Sequence, residues 1–125
     1  MMEQRTFSVE FGEVMPQGSW VYVWVDTTTK LVAYIGATAF EPELRARIHM
    51  THPDPRMGRV KNEVPESEHR SFIVRAFSVP DETNRAHVKS ALQQSLVRGE
   101  ELPEGHAGAF AAQIIDLLRS ESTVR

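Results

Sequence analysis

The feature that most constrains the fold is a pair of strand-like segments joined by a short polar connection. Residues 20–25 (WVYVWV) are β-branched or aromatic, which is typical of a strand covered on both faces. Residues 31–35 (LVAYI) form the second segment, and the residues between them are Asp, three Thr and Lys. Parallel strands need a connection of about a dozen residues or more, so these two must pair as an antiparallel hairpin.

Further segments complete the pattern of an α+β domain. Alternating apolar residues over 6–11 indicate a short N-terminal strand, and residues 70–79 are a candidate third core strand. We therefore predict an α+β fold with a small antiparallel sheet of three core strands, to which the N-terminal strand is an optional addition, flanked by helices. The stretch 51–68 is rich in Pro, Gly and charge, and such a long connection is functional, partly helical or mobile.

Three helices are predicted from start and stop signals. Pro42 with acidic neighbours opens the first, in which Leu44 and Ile48 should face the core while Arg45 and His49 lie on the adjacent stripe. The second should run from about 84 to 98, with Gly99 as its stop, and the third from about 105 to 119. Their predicted apolar faces comprise Val88, Ala91, Leu92, Ser95 and Leu96 in the second, and Phe110, Ile114, Leu117 and Leu118 in the third.

Composition limits the classes of protein. A chain of 125 residues is enough for one core, so we expect a single domain over 1–125 with its motif core at about 18–98. The absence of cysteine excludes disulfides and thiolate metal sites. No apolar run approaches the ~20 residues of a membrane span, and no signal-peptide core is visible, so we expect a cytoplasmic protein without a membrane partner.

Charge opposes nucleic-acid binding overall and favours it locally. The net charge is −3, which repels a phosphate backbone. Between residues 45 and 61, however, the only acidic residue is Asp54, against five basic residues, which are Arg45, Arg47, Arg56, Arg59 and Lys61. This segment is either a phosphate-binding footprint or a solvated loop with scattered charges.

The hairpin and first helix carry a motif set. Tyr22 lies in the first strand, Tyr34-Ile35-Gly36 followed by Thr38 ends the second, and Arg45 and His49 lie one helical turn apart. In order and spacing this resembles the GIY-YIG endonuclease superfamily. The resemblance covers about a quarter of the chain and implies a short antiparallel sheet flanked by helices, with both tyrosines on adjacent strands.

The resemblance also implies catalytic roles. Tyr22 would activate or orient the attacking water, Tyr34 would hold nucleophile and phosphate, and Arg45 would neutralise charge on the phosphate oxygens. His49 completes the frequent R-x-x-x-H pattern. A guanidinium suits this task because its planar fork matches phosphate oxygens. The substrate-binding residues would be those next to the second tyrosine, Gly36 and Thr38, and those of the basic segment, Arg47, Arg56, Arg59 and Lys61.

The chain departs from the family at the metal site. The family uses Mg²⁺ or Mn²⁺ held by a Glu on the helix after the third strand, and Gln93 stands at that position here. Other registers would select Ser90 or Lys89. Glu82, Glu100 and Glu101 are candidates for a displaced carboxylate, and the spacing does not choose between them. Trp20 also replaces the usual Gly of the first motif, and the family's later Asn is missing from 100–112.

Two functions remain open at this point. One is a divalent-metal-dependent nuclease that hydrolyses DNA phosphodiesters. The other is a catalytically lapsed GIY-YIG-fold module that binds nucleic acid or a protein partner without cleavage. A carboxylate within metal-bridging reach of Tyr22 and Arg45 would favour the nuclease. The remaining histidines lack metal-ligand spacing, and Trp20 and Trp24 alternate with valines, which favours core positions.

Overall fold

A computed structural model describes residues 9–10, 13–14, 18–39, 42–54, 56–121 and 124. The described elements are, in chain order, β1 (Val9–Glu10), β2 (Glu13–Val14), β3 (Trp20–Asp26), β4 (Val32–Thr38), α1 (Pro42–Thr51), α2 (Arg59–Glu63), a 3-10 turn (Ser67–His69), β5 (Phe72–Ser78), α3 (Arg85–Leu92) continuing as a π-helical segment (Gln93–Val97), and α4 (His106–Ser120). The predicted α+β class is confirmed.

A three-stranded antiparallel sheet, in the order β4-β3-β5, forms the centre of the fold. The β3–β4 hairpin and the third strand were both expected from the sequence. Tyr22 pairs with Gly36 in β4 and with Ala76 in β5. Because side chains alternate along a strand, Val21, Val23 and Val25 face one side of the sheet and Tyr22 faces the other.

The valine face forms the main hydrophobic core with α3 and α4. Val88, Ala91 and Leu92 of α3 and Ile114 and Leu118 of α4 are buried against it. The buried stripe predicted for α3 is therefore confirmed at these positions. Leu117 was expected on the buried face of α4 but is 45% exposed, because the face is rotated toward Ala111 and Ile115.

The tyrosine face is covered by α1 and α2. Tyr22 and Trp24 form a second core with Val60 of α2 and with Val64, the residue that follows α2. His49 of α1 is fully buried, whereas Ile48, which we expected to face the core, is only half-buried. The apolar layer of α1 is therefore turned so that a histidine replaces an isoleucine at the sheet. Leu44 has no described side chain.

The described residues of the N-terminal segment form a small sheet of their own. Of the strand predicted over residues 6–11, Val9–Glu10 is described, and it pairs with Glu13–Val14 in a separate two-stranded sheet. The rest of that predicted strand lies outside the described residues. None of the described helices combines the length and apolarity needed to cross a membrane.

Asp26 terminates β3 and ties the hairpin to the segment before β5. Its carboxylate accepts hydrogen bonds from the backbone N–H groups of Thr28 and Thr29, at 2.8 and 3.0 Å, and from Arg70 Nε at 2.8 Å. The Thr29 N–H, then Arg70 and the Thr28 N–H, lower the pKa of the Asp26 carboxyl. A carboxyl with a lowered folded-state pKa stabilises the fold above its unfolded pKa of about 3.9 and loses that effect as pH falls.

Asp26→Asn is therefore expected to destabilise the protein near neutral pH and to lose most of its effect in acid. Urea unfolding of both proteins at about pH 6 and about pH 2.5 measures this difference. Asp116→Asn, at an exposed position of α4, is the matched control and should change little at either pH. An Asp26→Asn effect of equal size at both pH values would contradict the assigned role.

Candidate functional site

The aromatic residues of the predicted motif meet on the α1-covered face of the sheet. Tyr22 comes from β3, Tyr34 from β4 and His49 from α1. The ring centroids of the two tyrosines are 6.5 Å apart, and those of Tyr22 and Tyr34 lie 5.5 and 5.0 Å from His49. Three residues that are distant in the sequence are therefore in contact in the fold. We call them the Tyr–His cluster (Tyr22, Tyr34 and His49).

A short hydrogen bond joins two members of the Tyr–His cluster. The Tyr22 hydroxyl lies 2.6 Å from His49 Nε2, and both residues are buried. The other ring nitrogen, His49 Nδ1, is buried and has no hydrogen-bond partner within the described part of the chain. A buried polar nitrogen without a partner is costly, so the imidazole is held here at the expense of stability.

Gly36 is required by the approach of Tyr22. The two residues pair directly across the β3–β4 hairpin. A Cβ built on Gly36 would overlap the Tyr22 ring and its hydroxyl oxygen. The glycine of the YIG motif therefore makes the space in which the Tyr22 hydroxyl reaches His49.

Two arginines complete the polar side of the cluster. Arg45 lies one turn before His49, and its Nη1 donates to the carbonyl of Met57 at 2.9 Å, which fixes the guanidinium against the chain leading to α2. Arg45 lies beside the Tyr22 hydroxyl, and Arg59 of α2 lies beside that of Tyr34. Both arginines are half-buried, so the cluster reaches the protein surface through them.

Burial controls the protonation of the cluster. It raises the pKa of Tyr22, with a further contribution from Tyr34, although Arg45 and Arg59 oppose the increase. Burial also raises the pKa of Tyr34. The pKa of His49 falls to about 3 because of burial first and the surrounding positive charges second. At neutral pH both phenols are therefore protonated and the imidazole is uncharged.

The other predicted substrate-binding residues lie outside the cluster. Thr38 is buried at the end of β4, while Arg47, Arg56 and Lys61 are exposed. Arg56 forms an ion pair with Asp54 at 3.2 Å. Of the basic segment, only Arg45 and Arg59 act on the Tyr–His cluster, and the exposed members can contribute only to its surrounding field.

Of the positions considered for a metal ligand, some act on the Tyr–His cluster and others do not. Gln93 is half-buried in the π-helical segment that follows α3. Lys89, one turn earlier, is the residue of α3 whose charge acts on His49. Glu63 of α2 is a carboxylate that raises the pKa of Tyr34. It was missed because the stretch 51–68 was expected to be partly helical only as one of three alternatives, and no helix was placed in it. The i, i+4 spacing of Val60 and Val64 was the available signal for that helix.

The described residues around Tyr22 do not fit a divalent cation. Mg²⁺ prefers carboxylate and other oxygen ligands, whereas the charges acting on Tyr22 and His49 are those of arginine and lysine. In the described part of the chain, no three His, Cys, Asp or Glu side chains are grouped so that they could hold a metal ion. Glu82, Glu100 and Glu101 are exposed and are not among the groups acting on the cluster.

A separate open cavity lies at the N-terminus of α3. It is lined by Gly18, Ser19, Asp81, Thr83, Asn84, Arg85 and Ala86, and contains no residue of the predicted motif. Asn84 caps the helix there by accepting hydrogen bonds from the backbone N–H groups of Ala86 and His87. Since those donors are satisfied, we assign this region a structural role.

Comparison with protein-family models gives no match, and searches of curated proteins and of solved structures give no significant match. The likeness to GIY-YIG proteins therefore rests on the motif residues themselves.

Proposed function

We propose that this protein is a GIY-YIG-like module that binds the phosphate backbone of DNA at the Tyr–His cluster without cleaving it efficiently. One observation carries the proposal. Two half-buried guanidinium groups lie beside two protonated phenols and an uncharged imidazole, and none of the described carboxylates acts on Tyr22 or His49. The two guanidinium groups and the half-buried Tyr34 hydroxyl offer hydrogen-bond donors to an anion, and the guanidinium groups also offer it positive charge.

The chemistry of these groups suits a phosphodiester. Arginine donates through a planar fork that matches two phosphate oxygens, and such charge-assisted bonds are the strong ones. The bond from Arg45 to the Met57 carbonyl fixes that fork before a ligand arrives. Preorganisation of this kind lowers the entropic cost of binding. Arg47 and Lys61 are exposed nearby in sequence and add a salt-sensitive attraction despite the net charge of −3.

The protonation states oppose cleavage. A general base works best when its pKa lies near the working pH. Tyr22 has a raised pKa, and His49 has one of about 3, so moving the Tyr22 proton to His49 is strongly unfavourable in the unliganded site. The two groups that the resemblance would assign to activation of the nucleophile therefore have pKa values far from the working pH.

Slow phosphodiester hydrolysis is the second candidate, and the bond between Tyr22 and His49 is the observation that favours it. At 2.6 Å this bond provides a direct path for a proton from the phenol to Nε2. A bound phosphate would bring negative charge close to the cluster and would raise the pKa of His49. Binding of the substrate would in this way reduce the barrier that the empty site presents.

One pair of assays separates the candidates. Fluorescence anisotropy with labelled DNA should show salt-dependent binding by the wild type. Plasmid nicking with Mg²⁺ or Mn²⁺ should give no more product than the Arg45→Ala variant gives. Robust nicking that Tyr22→Phe abolishes would establish hydrolysis, and absence of DNA binding at low salt would refute the proposed function.

A further inference from the structure

Two neighbouring carbonyl groups in the connection between α1 and α2 hold the two arginines of the site. The Met57 carbonyl accepts a hydrogen bond from Arg45 Nη1 at 2.9 Å. The Arg56 carbonyl accepts one from Arg59 Nε at 3.2 Å. Since Arg45 belongs to α1 and Arg59 to α2, one short stretch of backbone fixes guanidinium groups that come from two different helices.

Asp54 organises that stretch of backbone. Its carbonyl accepts hydrogen bonds from the N–H groups of Met57 and Gly58, at 2.9 and 2.7 Å. Its carboxylate accepts one from the N–H of Arg56 at 2.9 Å, which closes an Asx-turn. Three consecutive backbone N–H groups therefore bond to a single residue, and the side chain of that residue supplies the first of the three bonds.

Planar peptide units transmit this order to the arginines. In a trans peptide unit the N–H and the C=O point in opposite directions, and none of the described peptide bonds is cis. Because the N–H groups of Met57 and Gly58 bond to Asp54, the carbonyls of the same two units point away from it. Those two carbonyls are the ones that accept hydrogen bonds from Arg45 and Arg59.

Contacts at both ends fix the same stretch against the helices. His52 donates its N–H to the Ile48 carbonyl of α1 at 3.0 Å, and its Nδ1 accepts from the Asp54 N–H at 3.1 Å. A Cβ built on Gly58 would overlap the His52 carbonyl, so a side chain there would push the connection away from α1. On the other side, Asn62 of α2 donates through Nδ2 to the Gly58 carbonyl at 2.6 Å.

The charge of Asp54 and its hydrogen bonds should have opposite effects on an anionic ligand. It is the only acidic residue between positions 45 and 61, so its charge alone would weaken the attraction for phosphate. Part of that charge is neutralised by the ion pair with Arg56 at 3.2 Å. We propose, resting on the function proposed above, that Asp54 is a positioning residue that strengthens phosphate binding by holding the backbone that orients Arg45 and Arg59.

The test compares two variants that remove the same charge. Asp54→Asn keeps a side-chain oxygen that can accept from the Arg56 N–H, whereas Asp54→Ala removes it. In fluorescence anisotropy with labelled DNA, Asp54→Ala should bind about fivefold more weakly than Asp54→Asn. Asp54→Asn should bind as tightly as the wild type or up to about threefold more tightly, because the acceptor is kept while a negative charge is lost.

Glu63→Ala is the control for charge. Glu63 is exposed at the end of α2, and its charge acts on Tyr34. Its removal takes away the same charge and the same kind of side chain as Asp54→Ala does. We therefore expect Glu63→Ala to leave DNA binding unweakened, in contrast to Asp54→Ala.

A second measurement requires no DNA. Hydrogen bonding slows the exchange of N–H protons with water. In ¹⁵N NMR spectra of the free protein, the guanidinium N–H groups of Arg45 and Arg59 should exchange more slowly than those of the exposed Arg47. The difference should persist in Asp54→Asn and disappear in Asp54→Ala.

The outcomes distinguish this inference from the function on which it rests. Equal affinities of Asp54→Asn and Asp54→Ala, whether above or below that of the wild type, would refute the positioning role and leave DNA binding intact. Slow arginine exchange that survives in Asp54→Ala would also refute it. Failure of the wild type to bind DNA would refute the proposed function, whereas loss of slow exchange in Asp54→Ala would still show that Asp54 positions both arginines.

Discussion

Arg45→Ala is expected to weaken DNA binding by about 10- to 100-fold, because it removes a preorganised guanidinium that makes charge-assisted hydrogen bonds to phosphate. Arg45 is held by the Met57 carbonyl and lies beside the Tyr22 hydroxyl. Fluorescence anisotropy at fixed salt measures the loss. The slope of affinity against salt should also fall by about one released counterion.

Arg47→Ala is the matched control on the same helix. Arg47 is exposed two residues further along α1 and is not among the groups acting on the Tyr–His cluster. Its loss removes the same charge from the protein, so we expect a decrease in affinity of no more than about threefold. Equal losses from both substitutions would mean that DNA responds to the overall charge of the surface and that the cluster is not its binding site.

Gly36→Ala is expected to lower the free energy of unfolding by about 1–3 kcal/mol and to weaken DNA binding as well. The added methyl group would overlap the Tyr22 ring and hydroxyl. Since Tyr22 is buried in the second core, its ring must move as a whole, and the hydrogen bond to His49 is lost. Urea unfolding measures the first effect and anisotropy the second.

A double-mutant cycle identifies the cause of that loss. In a Tyr22→Leu background the obstructing ring is absent, so Gly36→Ala should cost about 1 kcal/mol less than in the wild type. The intact hairpin pairing of residues 22 and 36 makes these side chains direct neighbours. An equal cost in both backgrounds would show that the glycine is needed for its backbone conformation and not for the space it leaves to Tyr22.

The hairpin and its partners could be predicted because short-range chemistry determines them. The polar connection between residues 26 and 30 is too short for anything but antiparallel pairing, and Gly99, which has a positive φ of 68°, ends the helical segment as expected. Tyr22 and Tyr34 share a face of the sheet because the register of the hairpin pairs Tyr22 with Gly36, two residues from Tyr34. These parts of the site follow from local rules alone.

Residues brought in by tertiary packing were harder to predict. Hydrophobicity alone predicts that Ile48 of α1 is buried in preference to His49. His49 is the fully buried residue because its imidazole forms a hydrogen bond with Tyr22, which Ile48 cannot do. Arg59 joins the site, whereas the equally basic Arg56 pairs with Asp54, a difference that depends on where α2 begins. The charge of Lys89, which the sequence offered only as an alternative register for a metal ligand, contributes to the lowered pKa of His49 from α3.

An NMR titration of the ¹⁵N-labelled protein with a short 5′-phosphorylated oligonucleotide tests the central claim most directly. If phosphate binds at the Tyr–His cluster, the largest changes should appear at the side-chain Nε–H groups of Arg45 and Arg59 and at the ring nitrogens of His49. Changes confined to the exposed Arg47, Arg56 and Lys61, with the His49 ring unperturbed at saturation, would contradict the account.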